Sequence, residues 1–314
     1  MRRMVSDING LLVLDKPAGL TSRAVVDRVQ RWFPKRTRIG HAGTLDPLAT
    51  GVLVLCLGEA TRLIEYVQRM DKVYRTRLRL GVHSDSNDAD GIITPVSGAV
   101  AADAAAVAEC VTAFIGRIEQ IPPVYSAAKV AGQRAYKRAR RGEEVSLSPR
   151  PVQIYAINIL GYSYPQLDLE VCCGKGTYIR SLARDLGERL GCGALVQTLR
   201  RTRIGPFTVE GALALDADAE TAHTHLLPME MAVVELPRVV LPEDERKRLG
   251  QGQTVAVPRG EEQEGLSSLA LRSSPLAPQE VAVVDAAGRL AAVAMFDPQR
   301  QRLQPVKVFQ SKKR

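Results

Sequence analysis

Gly40-His41-Ala42-Gly43-Thr44-Leu45-Asp46-Pro47-Leu48-Ala49-Thr50-Gly51 runs directly into Val52-Leu53-Val54-Leu55-Cys56-Leu57. A loop rich in glycine and threonine thus meets an apolar run short enough for a buried strand. Glycine accepts backbone conformations that other residues resist, and Pro47 restricts the backbone of Asp46 before it. The stretch therefore predicts a loop over 40–51 that fixes one carboxylate, with His41 and Thr50 beside it, on a strand over 52–57. Binding and catalytic loops on rigid strands are commonly built this way. The same residues also spell an Asx turn, since Asp before Pro readily starts one. On spacing alone the turn is the first reading and the functional loop the second.

Upstream, Gly10-Leu11-Leu12-Val13-Leu14 reads as a strand, and Asp15-Lys16-Pro17-Ala18-Gly19 as the turn that ends it. Thr21 or Ser22 can N-cap a helix whose apolar face carries Val25, Val26, Val29 and Phe33. Downstream, residues 73–80 alternate. Tyr74, Thr76, Leu78 and Leu80 share one face, and Arg75, Arg77 and Arg79 the other. Ser84 to Gly91 reads as a polar loop and 103–114 as an alanine-rich helix. Residues 122–151 read as a basic loop carrying Lys129, Arg134, Lys137, Arg138, Arg140 and Arg141. A solvated face is the commoner meaning of such a charge run.

Leu167, Leu169, Val171 and Cys173 mark a second alternating strand. Gly174-Lys175-Gly176 turns it into a helix with Ile179, Leu182, Ala183, Leu186 and Leu190 at helical spacing, which places Tyr178 in the first turn. Arg180 on that helix reads, by spacing alone, as solvated. Beyond an alanine- and acid-rich stretch at 211–235, strand signals near 253–257, 281–285, 290–296 and 305–309 read as a small barrel or sandwich. The expected division is 1–231 and 232–314, with a flexible insertion near 260–279 and a frayed tail at Lys312-Lys313-Arg314.

At 314 residues the chain can bury one large core and a small one. Its 45% hydrophobic and 25% charged residues are ordinary for a globular protein and argue against wholesale disorder. The net charge of +9 suits a polyanion, because Lys and Arg at phosphates release condensed counterions. Cys56, Cys110, Cys172, Cys173 and Cys192 form neither a disulfide framework nor a paired zinc spacing, which points to a reducing compartment. Met1-Arg2-Arg3-Met4 is basic, but no apolar leader follows. No apolar run approaches bilayer length. A cytoplasmic protein without a membrane partner is expected. Two look-alike patterns fail. Asp85 to Gly91 lacks calcium-loop spacing and its closing Glu. Gly174-Lys175-Gly176-Thr177 lacks the earlier glycine of a phosphate loop.

The loop and its flanks, with Leu14-Asp15-Lys16-Pro17-Ala18-Gly19-Leu20-Thr21-Ser22 before it, resemble the bacterial TruB-type tRNA pseudouridine synthases. The similarity continues through Asp71-Lys72-Val73-Tyr74-Arg75, Pro122 to Lys129 and Gly176-Thr177-Tyr178-Ile179-Arg180 to Gly187, and ends near Leu199-Arg200-Arg201-Thr202-Arg203-Ile204-Gly205. It covers roughly residues 10–210 in order. The resemblance implies an α+β fold: a mixed, largely antiparallel central sheet flanked by helices and loops, then a small PUA-like β-barrel. It implies isomerisation of uridine 55 in the tRNA T-loop to pseudouridine. Asp46 becomes the catalytic carboxylate, Tyr74 the ring stacked on the target base, and Arg180 the partner of Asp46. His41 packs near the flipped nucleotide, Tyr178 belongs to the later motif, Leu199 lines the pocket and Lys16 is structural. Residues 129–151 would cover the RNA, with Lys129, Arg134, Lys137, Arg138, Arg140 and Arg141 at phosphates.

The chemistry fits those residue types. Pseudouridine formation breaks N1–C1′, turns the uracil and joins C5 to C1′. Nothing is oxidised and no group is donated, so no cofactor or metal is expected. A carboxylate nucleophile can split one hard step into two. Retaining glycosidases need a second carboxyl to activate water, whereas here the leaving base returns. An adjacent arginine keeps the carboxylate ionised and orients it. The expected partner is the tRNA T-arm, with no guide RNA, and a monomer. An RNA-binding chaperone of tRNA folding, with catalysis secondary, is the alternative.

Overall fold

The computed structural model describes residues 8–126, 129–130, 133–135, 138, 141–143, 145–257 and 277–309, with only the backbone of residues 129, 130 and 134. Lys137, Arg140, most of the insertion expected near 260–279 and the tail lie outside the described residues.

The chain opens with β1 (Gly10–Lys16) and α1 (Ser22–Val29). Of the two candidate caps, Thr21 takes the role: its Oγ1 accepts from Ala24 N at 3.0 Å. Val25, Val26 and Val29 then pack with Phe33 on Leu12 and Leu14 of β1. β2 (Ile39–His41) and β3 (Thr50–Leu57) follow. Both pair into the sheet, His41 opposite Leu55 and Thr50 beside Arg200, so the loop proper is 42–49 rather than 40–51.

Next come α2 (Ile64–Arg69), β4 (Lys72–Leu80), β5 (Val82–Ser84), β6 (Ile93–Pro95), α3 (Ala104–Thr112) and β7 (Gly116–Gln120). Two short strands, β8 (Lys129–Val130) and β9 (Gln133–Arg134), pair within the stretch read as loop. β10 (Arg150–Ser163), β11 (Gln166–Cys173), α4 (Ile179–Arg189), β12 (Ala194–Ile204), β13 (Phe207–Thr208), β14 (Leu213–Ala214) and α5 (Ala219–Thr224) complete the larger part. Then follow β15 (Arg238–Val240), α6 (Glu243–Gly250), β16 (Val255–Ala256), β17 (Gln279–Val284), β18 (Leu290–Asp297) and β19 (Arg302–Val308).

The large sheet runs β14-β1-β3-β12-β4-β11-β10-β7, with β2 on β3 and β13 on β12. Only β1 with β14 and β3 with β12 are parallel; the other pairings are antiparallel. This is the mixed, largely antiparallel sheet of an α+β protein. β4 alternates as the sequence predicts, with Tyr74, Thr76, Leu78 and Leu80 buried and Arg75, Arg77 and Arg79 exposed. Arg75 and Arg77 meet Glu170 and Asp168 across the pair with β11, at 2.9 and 2.7 Å.

β10 and β12 have no counterpart in the sequence reading. Each carries two register shifts that interrupt the alternation of faces. A second sheet, β15-β17-β18-β19-β16, closes the chain. It is not a separate bead. Ala282, Val284, Leu290, Val293 and Phe309 share one buried cluster with Val52, Val54, Tyr66, Val67 and Met70. Glu280 receives Tyr66 Oη at 2.9 Å and pairs with Arg69, while Arg62 donates to Val308 O at 2.6 Å.

Candidate active site

The loop 42–49 is tied down at several points along its length. Ala42 N donates to Val54 O at 2.8 Å, and Gly43 O accepts from Arg201 Nη2 at 3.2 Å. The buried Ser22 hydroxyl accepts from Leu45 N at 2.8 Å and donates to Leu45 O at 3.1 Å. Pro47 O accepts from Gly19 N at 2.8 Å. Beneath it, Lys16 Nζ donates to Ala49 O at 2.6 Å and Pro47 O at 3.3 Å. Lys16 is fully buried, and burial pulls its ammonium down to about 8; Asp46 opposes that shift and Arg201 adds to it. Its contacts are those of a structural clamp. The loop therefore presents the Asp46 carboxylate from a backbone with little freedom.

Arg180 stands on the first turn of α4, buried rather than solvated, at 4% exposure. Its Nε lies 3.0 Å from Asp46 Oδ2. Nη1 lies 3.2 Å from Asp88 Oδ2 and donates to Ser86 O at 3.0 Å, and Nη2 donates to Tyr125 O at 2.8 Å. The planar fork is thus fixed from several sides, and a point-charge ammonium could not reproduce it. Asp88 belongs to the loop set aside as a failed calcium pattern. It is buried, and it also accepts from Ser86 Oγ at 2.5 Å and Asp90 N at 3.2 Å. Ala89 N and Asn87 O bind Val196 of β12, which holds that loop over the arginine.

A third of the Asp46 side chain remains open to solvent. Burial pushes its carboxyl above the ordinary range; Arg180 is the strongest opposing influence, Asp88 adds to the rise and Lys16 reduces it. Asp88 is buried, with Oδ2 at Arg180 and Oδ1 held by Ser86 and Asp90, which does not suit a second catalytic carboxyl of the glycosidase kind. Among the described residues there is no His, Cys, Asp or Glu grouping able to hold a metal ion.

Tyr74 lies on the inner face of β4, in one apolar cluster with Leu45, Ala49, Ile179 and Leu199. Leu199 faces the same cluster from β12, paired with Thr76. Burial pushes the Tyr74 phenol up, against the charge and hydrogen bonding of Arg201. Tyr178 is the residue before α4 rather than part of its first turn; its N and O are held by the Gln120 side chain at 2.8 and 3.1 Å. The cause is its extended backbone, which caps the helix. His41 ends β2, half-buried at the mouth of the loop. In the basic segment, Arg138 and Arg141 both pair with Glu143, at 2.6 and 3.7 Å. Lys129 and Arg134 pair through their backbones, β8 against β9. Asp88 and Arg201 escaped the sequence reading, the first because its loop looked merely polar, the second inside a run of arginines.

Solved structures place the fold first. A Cbf5-Nop10-Gar1 complex matches over 96% of this chain and 84% of that chain, at a TM-score of 0.70 and 25% identity. The archaeal box H/ACA sRNP Nop10-Cbf5 complex matches at 0.68 and 25% over 96% of this chain and 86% of that one. The fold is that of the pseudouridine synthases, with the curled five-stranded sheet as a PUA-like unit. More narrowly, the chain belongs to the TruB family of pseudouridylate synthases. Its residues 31–179 match the N-terminal family domain, and 180–244 match the tRNA pseudouridylate synthase B C-terminal domain. The "tRNA pseudouridine synthase B" of Xanthomonas oryzae pv. oryzae is 43% identical over 92% of this chain and 94% of its own length. The protein of the same name from Dehalococcoides mccartyi is 42% identical over 97% of both. The enzyme is accordingly an isomerase.

Proposed function

We propose that this chain converts uridine 55 in the T-loop of tRNA to pseudouridine, with Asp46 as nucleophile. The observation that supports this most is the Asp46 carboxylate, partly open to solvent and held at 3.0 Å by a buried Arg180. Arg180 keeps the carboxylate ionised against its burial and fixes its direction. The target nucleotide is extruded from the loop, at a cost that stacking on the Tyr74 ring offsets in part. Leu199 closes the apolar side of the pocket, while His41 and Tyr178 face the displaced nucleotide. Asp46 adds to the nucleotide, N1–C1′ breaks, the uracil turns, C5 bonds to C1′, and the bond to Asp46 breaks to free the carboxylate. The proton leaves C5 and N1 takes one up, so no cofactor enters the balance.

Residues 1–231 form the catalytic unit and 232–314 an RNA-binding one. Residues 129–151 lie against phosphates. The enzyme works in the cytoplasm as a monomer on the T-arm, without guide RNA. Incubation with a T-arm stem-loop and mapping of pseudouridine tests the whole; no conversion by folded protein would sink it. Asp46→Asn is expected to abolish conversion while RNA affinity stays within about tenfold. Conversion by that variant would remove Asp46 as nucleophile. Affinity should also fall steeply with salt, because phosphate contacts release counterions.

A further inference from the structure

Arg201 is among the largest fully buried side chains, at 1% exposure. Its Nε donates to Val52 O at 2.8 Å and its Nη2 to Gly43 O at 3.2 Å. Among the described residues no carboxylate forms an ion pair with it. Its guanidinium carbon lies 6.0 Å from the centre of the Tyr74 ring, directly across the β12–β4 pair. Lys16 and Lys72, two further buried cations, are likewise held by carbonyl oxygens. A guanidinium taken out of water without a counter-charge, among like charges, is a costly way to fill space. An apolar side chain of similar volume would pack there without that cost.

The guanidinium does something packing alone does not. One rigid fork joins the backbone three residues before Asp46, the start of β3 and the ring of Tyr74. We propose that Arg201 is a positioning residue that holds the Tyr74 ring and the Asp46 loop in one fixed relation, so that carboxylate and stacked base keep their spacing. This rests on the roles given above to Asp46 and Tyr74. Arg201 touches no substrate and acts through the two groups that do. A lysine at 201 could donate to one of the carbonyls but has no fork to span both.

The test uses the full chain with Arg201→Lys and Arg201→Met, single-turnover conversion of a T-arm stem-loop, direct RNA binding, thermal unfolding, and 3-fluorotyrosine placed at position 74. Conversion by the wild type is the control for the underlying reading. Given that, the expected result is a single-turnover rate at least tenfold lower in a folded variant, with the RNA Kd within threefold. The fluorine line should be single and narrow in the wild type and should move or split in Arg201→Lys. Three results overturn the inference: a rate within threefold of wild type in a folded variant, a wild-type fluorine signal showing several ring positions, or failure of both variants to fold, which would make Arg201 a folding residue.

Discussion

Arg180 serves two carboxylates and two carbonyl oxygens with one guanidinium, which makes its replacement informative. Arg180→Lys keeps the charge and loses the fork; kcat/KM is expected to fall about 100-fold or more, in the range of a lost preorganised contact. Asp88 bears on pH. The Asp46 carboxyl lies above its ordinary value, and the proposed nucleophile attacks only when ionised, so kcat/KM should fall on acidification at a pH above that of a free aspartate. Asp88 contributes to that rise, so Asp88→Asn should move the acid limb downward even as the maximum rate drops. A kcat/KM profile from mildly acidic to neutral pH decides, and an upward shift would contradict the assignment. Lys72 gives a stability test. Burial pulls its ammonium from 10.5 to about 8. Between those values the unfolded chain binds the extra proton, so this group makes stability rise with pH there. Lys72→Met should lower the slope of denaturation free energy against pH between 8 and 10 by up to one proton.

At this scale the legible residues were those whose meaning is local or carried by a resembling motif. Asp46 sits in a loop whose glycines and Pro47 advertise a fixed backbone. Asp88 does not, because what gives it meaning is an arginine 92 positions later, in a helix its own loop never mentions. Arg201 lies in Leu199-Arg200-Arg201-Thr202-Arg203, a run whose local pattern does not tell one arginine from the next. Only register separates the buried Arg201 from Arg200, which faces out to Asp15 at 2.7 Å.

Among the elements, β3 and β12 approach closely at one joint. Gly51 pairs with Arg201 across this parallel contact, at a φ of 97°. A Cβ there would lie 2.1 Å from Arg201 O, which neither backbone can relieve. Gly51→Ala is therefore expected to destabilise the protein by about 3 kcal/mol or more, through combined overpacking and backbone strain. Urea denaturation measures it, and a loss below about 1 kcal/mol would show that the strands can part. Strands that alternate cleanly, such as β4 and β11, were readable because one face is buried and the other charged. β10 and β12 were not, since two bulges apiece move their side chains from one face to the other. α1 and α4 declared themselves through the spacing of their apolar residues, while residue type narrowed the α1 cap to Thr21 or Ser22 and the structure chose Thr21.

For the whole molecule, the shared cluster under both sheets implies one unfolding unit rather than two. Trp32 is the sole tryptophan and reports from the large sheet's side. Its fluorescence transition in urea should coincide with that of far-UV circular dichroism, to which the second sheet contributes. Separate midpoints would show that the sheets come apart independently. Glu280→Gln weakens only partly exposed contacts to Tyr66 and Arg69. It should cost about 1 kcal/mol or less and leave the transition single. The presence of a second small β unit was visible from its strand signals. Its fusion to the first was not, because Glu280 and Arg69 are 211 positions apart.

The bond from Arg201 to Gly43 spans 158 positions of chain. A ribosome adding about 5–20 residues per second takes roughly 10–30 s to cover that distance. For that interval the carboxylate loop is already made while the strand that anchors it is still being synthesised. The nascent chain thus carries Asp46, the proposed nucleophile, well before Arg201 can hold its loop, and that anchor arrives only with the emergence of β12.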